Sequence, residues 1–255
     1  MPNISRITIY PIKSLPGCDV VQARVLPSGA LEFDRRWALV DEDGGFINGK
    51  RNDRLHRFRL HLGDDLSTIE VQYGASQAAF HLPSERDFAA AWFSDALGVR
   101  CHLEEKADGG MPDDLDAPGP TLIGTATLKE VAAWFRGLSI DEARRRFRAN
   151  LEVDGDEAFW EDQLAGQPGE SPPFCVGELT FCGRRICQRC VVPSRDTQTG
   201  EKTERFIPTF TQNRRQTLPE SSPHDQFDHF YRIAINTALV SRQNGTTIRV
   251  GDPVG

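Results

Sequence analysis

The cysteines of this chain are unevenly placed. Cys18 and Cys101 stand alone, whereas Cys175, Cys182, Cys187 and Cys190 crowd together near the middle of the second half. Their spacing admits several chemistries. A structural zinc site normally uses two close ligand pairs, and only Cys187-Gln188-Arg189-Cys190 is a close pair. The last three cysteines match the start of a plant-type iron–sulfur spacing, but that pattern needs a fourth cysteine further along and none follows Cys190. A thioredoxin-like dithiol sits beside a βαβ unit, whereas Val191-Val192-Pro193 does not open a helix. The fourth reading is a single thiolate ligand at Cys190. Neighbouring cations favour a thiolate, Arg189 supplies one, and soft thiolates suit metals held through sulfur. The plain alternative is a buried structural cysteine. Disulfides are disfavoured in a chain of this length without a secretion signal.

Arginines cluster as well. Arg144, Arg145, Arg146 and Arg148 lie together, as do Arg184, Arg185 and Arg189. The formal net charge is nevertheless -7. A general nucleic-acid binder is usually basic, so that class is excluded. Local positive potential in an acidic protein suits a small anionic ligand, although solvated helix faces with ion pairs account for most of these arginines. Hydrophobic residues at 38% and charged residues at 26% fit a globular chain with one large or two small domains. No apolar run reaches the roughly 18–20 residues of a membrane span, and residues 1–10 lack a signal-peptide pattern. The expectation is a cytoplasmic protein with no membrane partner.

Strands and helices must position these side chains. Ile4 to Tyr10 reads as a strand ended by Pro11. Trp37 to Val40, the turn Asp43-Gly44-Gly45, and Phe46-Ile47 read as a hairpin. Ile69, Val71 and Tyr73 alternate as in a half-buried strand, with Phe80 and Leu82 on its return after Gly74. Asp87 to Leu97 reads as a helix with Phe88, Ala91, Trp92 and Ala96 on its apolar face and Gly98 as its stop. Thr127 to Glu130 has capping-box spacing, followed by Leu128, Val131, Ala132 and Phe135 on one face; Ser139 to Glu142 repeats the start signal. Asp108 to Pro120 and Gly166 to Pro173 read as loops. Asn150 to Asp154 alternates, Glu178 to Phe181 is a strand closed by Cys182-Gly183, and Thr246 to Val250 is a last strand.

The surrounding motifs carry a resemblance. Cys187-Gln-Arg-Cys190 followed by Asp196-Thr-Gln-Thr-Gly200 resembles the signature of the MOSC domain of molybdenum-cofactor proteins. Tyr10-Pro-Ile-Lys-Ser14 and Asp34-Arg-Arg-Trp37 resemble motifs of the MOSC-associated N-terminal β-barrel. Phe147-Arg-Ala-Asn-Leu151 and Val250-Gly-Asp-Pro253 match later family motifs, in the family's order and across nearly the whole chain. Within the family, the chain is similar to the mitochondrial amidoxime-reducing component and its bacterial counterparts, which reduce N-hydroxylated compounds at a molybdenum-pterin centre.

The resemblance implies a mainly β fold with flanking helices (α+β). It comprises an N-terminal β-barrel-like domain over 1–105 and a MOSC β-barrel domain over 106–255, with a cofactor at their junction. It implies molybdenum-molybdopterin (Moco) as cofactor, with Cys190 as the metal ligand and a catalytic group. Lys13, Ser14, Arg35, Arg148, Asn150, Gln188, Arg189 and Asn236 would bind the cofactor. Lys and Arg suit its phosphate, and Asn150 can donate to and accept from a heterocycle edge. Asp196 is a second catalytic candidate, with an Asx-turn role as its alternative. The implied activity is oxygen-atom removal from a small N–O compound. Its electrons would come from a separate donor protein, since the sequence shows no flavin motif and no credible iron–sulfur cysteine set. The competing reading is a non-catalytic carrier of the cofactor or its sulfur. Departures from the pattern concentrate near the expected pocket: Pro193-Ser194 replaces two threonines, Ala117 to Pro120 replaces a Thr-Ser-Pro segment, Gln163 to Pro173 is longer, and Asn236 replaces an aromatic residue.

Overall fold

The computed structural model describes residues 2–242 and 246–255. Strands β1 (Ile4–Ile9), β2 (Cys18–Val20), β3 (Gln22–Arg24) and β4 (Trp37–Asp41) open the chain. A meander of β5 (Phe58–Leu62), β6 (Thr68–Tyr73) and β7 (Ser76–His81) follows, then helix α1 (Leu82–Leu97) and β8 (Cys101–Glu105). The second half holds β9 (Leu122–Gly124), α2 (Thr125–Ala133), α3 (Ile140–Phe147), β10 (Leu151–Val153), β11 (Pro173–Val176), β12 (Leu179–Gln188), α4 (Phe206–Gln216), β13 (Arg232–Arg242) and β14 (Thr247–Arg249). The fold is therefore α+β and mostly strand, as the sequence implies.

Among the described residues the largest sheet has seven strands in the order β11-β12-β13-β9-β10-β1-β2. Only β9 and β10 run parallel in it, joined by a crossover through α2 and α3. The first strand thus pairs with β10 from the second half. Its residues Ile4, Ile7 and Ile9 share a core with Leu151, Val153, Phe181 and Ile248. Three residues past β1 the chain changes core: Ile12 and Leu15 pack with Trp37, Phe58, Leu60 and Phe93. Phe33 packs against both cores. Tyr10 to Ser14 and Asp34 to Arg35 are accordingly the segments that cross from one core to the other. A third apolar cluster seats α2, α3 and α4 on Ile123 and Ile233 through Leu128, Phe147 and Phe210.

Several local expectations hold. Ile69 and Val71 alternate inward on β6, and Gly74 turns the chain at φ 60° into β7. Gly98 ends α1 in the left-handed conformation, and Ser139 caps α3 by accepting from Glu142 N. The Asp43-Gly44-Gly45 turn closes a short hairpin, with Asp41 N donating to Gly45 O at 2.9 Å, although the main partner of β4 is β8.

Others need correction. Helix α1 starts at Leu82 rather than Asp87 and buries Ala89, Phe93 and Leu97, whereas Phe88 is 72% exposed. Thr127 does not cap α2. It lies within the helix, fully buried, donating to Glu161 Oε2 at 2.8 Å and accepting from Phe159 N at 2.6 Å. Gly183 does not close a strand. It lies within β12 where the backbone of Leu164 crosses, and an added Cβ would fall 2.0 Å from Leu164 O. Strand β10 is buried throughout rather than alternating. Its Glu152 is tolerated because Arg144 donates to it at 2.6 and 2.8 Å.

Candidate functional site

Three turns bring the basic motifs to one place. Lys13 N donates to Trp37 O at 2.7 Å and Arg35 N to Tyr10 O at 2.7 Å, locking the two crossing segments together. Arg148 follows α3, its N–H closing the helix on Arg144 O. Ser14, Arg35 and Arg148 all have positive φ, at 71°, 48° and 53°. Such a conformation is strained for a residue with a Cβ and persists where the surroundings enforce it, often at binding sites. All three line one cleft of about 1770 Å³, together with Lys13, Gln188, Arg189, Cys190 and Asn236. Eight of the ten sequence-derived site residues therefore converge there, on segments that belong to both halves of the chain.

Tyr10 is the platform of the cleft. Its ring lies under the guanidinium of Arg148 at 4.2 Å and that of Arg35 at 5.2 Å. Its hydroxyl donates to Ala149 O at 3.2 Å, and burial pushes its pKa up to about 12, so it stays protonated. Arg35 is neutralised by Asp34. Among the described residues the Arg148 guanidinium has no hydrogen bond or ion pair with the protein. Burial, with the repulsion of Arg35, holds its pKa below the ordinary arginine value. An uncompensated guanidinium beside a cleft is a seat for an anion.

The sulfur side of the cleft begins where β12 ends. Arg189 N is fixed to Tyr231 O at 3.0 Å, its Nη1 reaches Cys187 Sγ at 3.1 Å, and its Nη2 donates to Phe147 O. Its Nε is buried without a partner. Burial opposes the Arg189 charge, yet the facing sulfurs of Cys187 and Cys190 raise its pKa above the usual value. The Cys190 thiol is half-buried, opens onto the cleft and makes no hydrogen bond among the described residues. Cys175 and Cys182 are elsewhere, on β11 and midway along β12. Five residues of extended strand separate Cys182 from Cys187, about 16 Å. Among the described residues no three His, Cys, Asp or Glu side chains converge as metal ligands, so the four-cysteine zinc arrangement is not formed.

Two expected site residues are placed differently. Asn150 is 2% exposed and fully engaged. Its Nδ2 donates to Thr8 O at 3.1 Å and Asp34 Oδ1 at 3.0 Å, while its Oδ1 accepts from Thr121 N at 3.2 Å and Arg35 Nη1 at 3.4 Å. It orients Asp34 and Arg35 rather than presenting an edge to a ligand. Asp196 is the turn residue of its alternative reading. Its Oδ1 accepts from Gln198 N at 2.8 Å and Thr199 N at 2.9 Å, and it does not line the cleft. Despite some desolvation, those backbone donors hold its pKa below the usual carboxylate value. Asn236 and Gln188 do reach the cleft, Asn236 donating to Asp114 Oδ2 at 3.1 Å.

Sequence reasoning missed Tyr10 as platform and Asp34 as counter-ion, although both stand inside the quoted motifs. It also missed His56, which lines the cleft with Nε2 3.3 Å from Gly49 O and carries no local signature.

The residues present fit a phosphate-bearing, sulfur-bound metal cofactor. Arg148 offers an uncompensated cation, Lys13 and Arg35 stand beside it, and Cys190 offers a thiol free of protein partners. Comparison with known proteins agrees with that chemistry. Residues 1–100 match the MOSC N-terminal beta barrel domain, and residues 123–255, more than half of the chain, match the MOSC domain. The chain belongs to the MOSC domain family, a molybdenum-cofactor-related class. It is similar to the molybdenum cofactor sulfurases of Drosophila pseudoobscura pseudoobscura (25% identical), Drosophila melanogaster (26%) and Homo sapiens (22%). These alignments take in 82–83% of this chain but only 31%, 30% and 28% of those proteins, so the chain spans less than a third of their length.

Proposed function

We propose that the cleft binds a molybdenum-pterin cofactor, with Cys190 as its protein ligand, and that the loaded protein reduces N-hydroxylated compounds in the cytoplasm with electrons from a separate donor protein. The observation that carries this reading is the pairing, in one cleft, of an unpartnered thiol at Cys190 with an unneutralised guanidinium at Arg148. The bound cofactor would supply the redox chemistry for removing oxygen from the N–O compound.

The protein's own part is binding and orientation. Lys13, Arg35 and Arg148 take the phosphate, and Asn150 keeps Asp34 and Arg35 in place behind them. Arg189, anchored on Phe147 O and Tyr231 O, holds positive charge beside the sulfurs of Cys187 and Cys190. The cleft volume exceeds the roughly 300–1,000 Å³ of an ordinary ligand pocket, which supports a second molecule beside the cofactor. Of the departures, Ala117 to Gly119 and Asn236 lie on the cleft wall and would shape what that molecule is.

Purified, cofactor-loaded protein is expected to reduce a hydroxylamine or N-hydroxylated amidine with reduced viologen, and not with NADH alone, because no G-x-G-x-x-G strand–helix turn is present. A carrier role for the cofactor or its sulfur is the second reading, favoured by the sulfurase names of the relatives. Absence of dye-driven turnover over a broad panel of N–O and S–O compounds, together with transfer of the cofactor to an apo-enzyme, would establish the carrier instead.

A further inference from the structure

The segment 110–119 crosses the mouth of the cleft with both ends fixed. At one end Met111 is buried and its N–H donates to Arg35 O at 2.9 Å; Gly110 is pressed so close that a Cβ would lie 2.4 Å from Asp34 O. At the other end Ala117 is buried and Gly119 N donates to Thr237 O at 2.9 Å. Between these anchors the segment carries three aspartates, each on a cleft cation or amide. Asp113 Oδ1 is 2.6 Å from Lys13 Nζ, Asp114 Oδ2 is 3.0 Å from Arg185 Nε and 3.1 Å from Asn236 Nδ2, and Asp116 reaches Arg185 at 3.3 Å.

The Lys13–Asp113 contact is asymmetric. The Lys13 side chain is 12% exposed, with its ammonium also donating to Met111 O at 2.8 Å, whereas the Asp113 side chain is 74% exposed. The cation is thus part of the wall and the carboxylate lies over it. Desolvation in the cleft mouth works against the Asp113 charge, but Lys13, then Arg35 and Lys50, outweigh it and hold its pKa below the usual carboxylate value. Arg148 feels the same carboxylate. Asp113 therefore sits, on the side of Lys13 as Asp34 does on the side of Arg35, in the field of the cations proposed above to hold a phosphate.

We propose that Asp113 is a built-in competitor for this anion seat: its carboxylate takes the place of a phosphate on Lys13, and the strap from Pro112 to Asp116 moves aside when a phosphate-bearing ligand enters. A phosphate brings more charge and more acceptor oxygens than a carboxylate, and an ion pair whose carboxylate stays largely in solvent is weak enough to exchange. Asp113 then makes the seat selective, admitting phosphate groups and turning away monocarboxylates that gain nothing over the resident one. The inference deepens the cofactor reading and rests on it for the natural ligand.

The test is calorimetric titration of the full chain, produced without cofactor, with inorganic phosphate and with acetate. Asp113→Asn is expected to bind phosphate about fivefold more tightly than the unaltered protein, to gain measurable acetate binding, and to lose both when Lys13→Met is added. Equal or weaker phosphate binding by Asp113→Asn would overturn the proposal and make Asp113 a support for Lys13; so would absence of phosphate binding in every variant. Molybdenum and pterin content of the unaltered protein from a cofactor-producing host is measured separately. If it is loaded while Asp113→Asn behaves as described for failure, only the competitor falls and the cofactor reading stands.

Discussion

Arg148 combines two unfavourable features: a left-handed backbone at a residue with a Cβ, and a buried guanidinium with no directly ion-paired carboxylate among the described residues. Each is destabilising unless a ligand or the surrounding packing compensates. Replacing Arg148 by methionine should therefore lower retention of a phosphate-bearing cofactor. A lost charge-assisted hydrogen bond amounts to about 1.5–3 kcal/mol, or roughly ten- to a hundredfold in affinity. The melting temperature should change little, since Arg148 has no hydrogen-bonded or ion-paired partner among the described residues and methionine keeps an apolar contact with the Tyr10 ring. Unchanged pterin content with a lowered melting temperature would make the residue structural. Asp196 behaves oppositely. Because its carboxylate caps a turn, Asp196→Ala should reduce thermal stability by about 1 kcal/mol, whereas Asp196→Asn, which keeps an acceptor, should leave activity close to normal. Loss of turnover in Asp196→Asn at normal stability would return it to the chemistry. The two residues also show what was legible locally. Their types and motifs were plain in the sequence, but only the fold tells an uncompensated cation from a satisfied carboxylate.

At the scale of elements, turn and cap signals carried well and strand limits did not. Gly98 and Ser139 act within their own turn, so their neighbours in sequence suffice to read them. Thr127 and Gly183 are decided by distant chain. The hydroxyl of Thr127 is taken by Glu161, and the missing side chain of Gly183 makes room for Leu164 O. Strand β9 and the Ile233–Ile235 part of β13 are buried on both faces in the middle of the sheet and lack the alternation that marks a half-solvated strand. Gly183→Ala should accordingly destabilise the protein by about 1–3 kcal/mol through overpacking against backbone; denaturant unfolding measures it, and a neutral result would mean that the crossing is looser than described.

Glu161, which binds α2 to the segment after β10 through Thr127, adds a pH dependence. Burial, then the repulsion of Asp162, raises its pKa to about 7. The folded state thus holds this proton more tightly than the unfolded chain. The contribution is full below about pH 4.5, declines as pH rises, and levels off above about pH 7, for a loss of at most about 3 kcal/mol. Glu161→Gln should flatten the stability profile between those limits and be the more stable protein at pH 8. An unaltered slope would place the titration elsewhere.

The whole molecule sets a basic cleft into a chain of net charge -7. The seven-stranded sheet takes β1 from the start of the chain and β12 from its second half, so the crossing loops and Cys190 meet at one cleft. Motif order alone pointed to that meeting; the long-range pairing of β1 with β10 could not be read from the residues. The most direct test of the account is molybdenum, zinc and pterin analysis with X-ray absorption on protein from a molybdate-fed, cofactor-producing host, comparing the unaltered chain with Cys187→Ala and Cys190→Ala. The account predicts one molybdenum and one pterin per chain, with the protein sulfur lost from the metal only in Cys190→Ala. Stoichiometric zinc without pterin, or the same sulfur coordination in Cys190→Ala as in the unaltered chain, would contradict it.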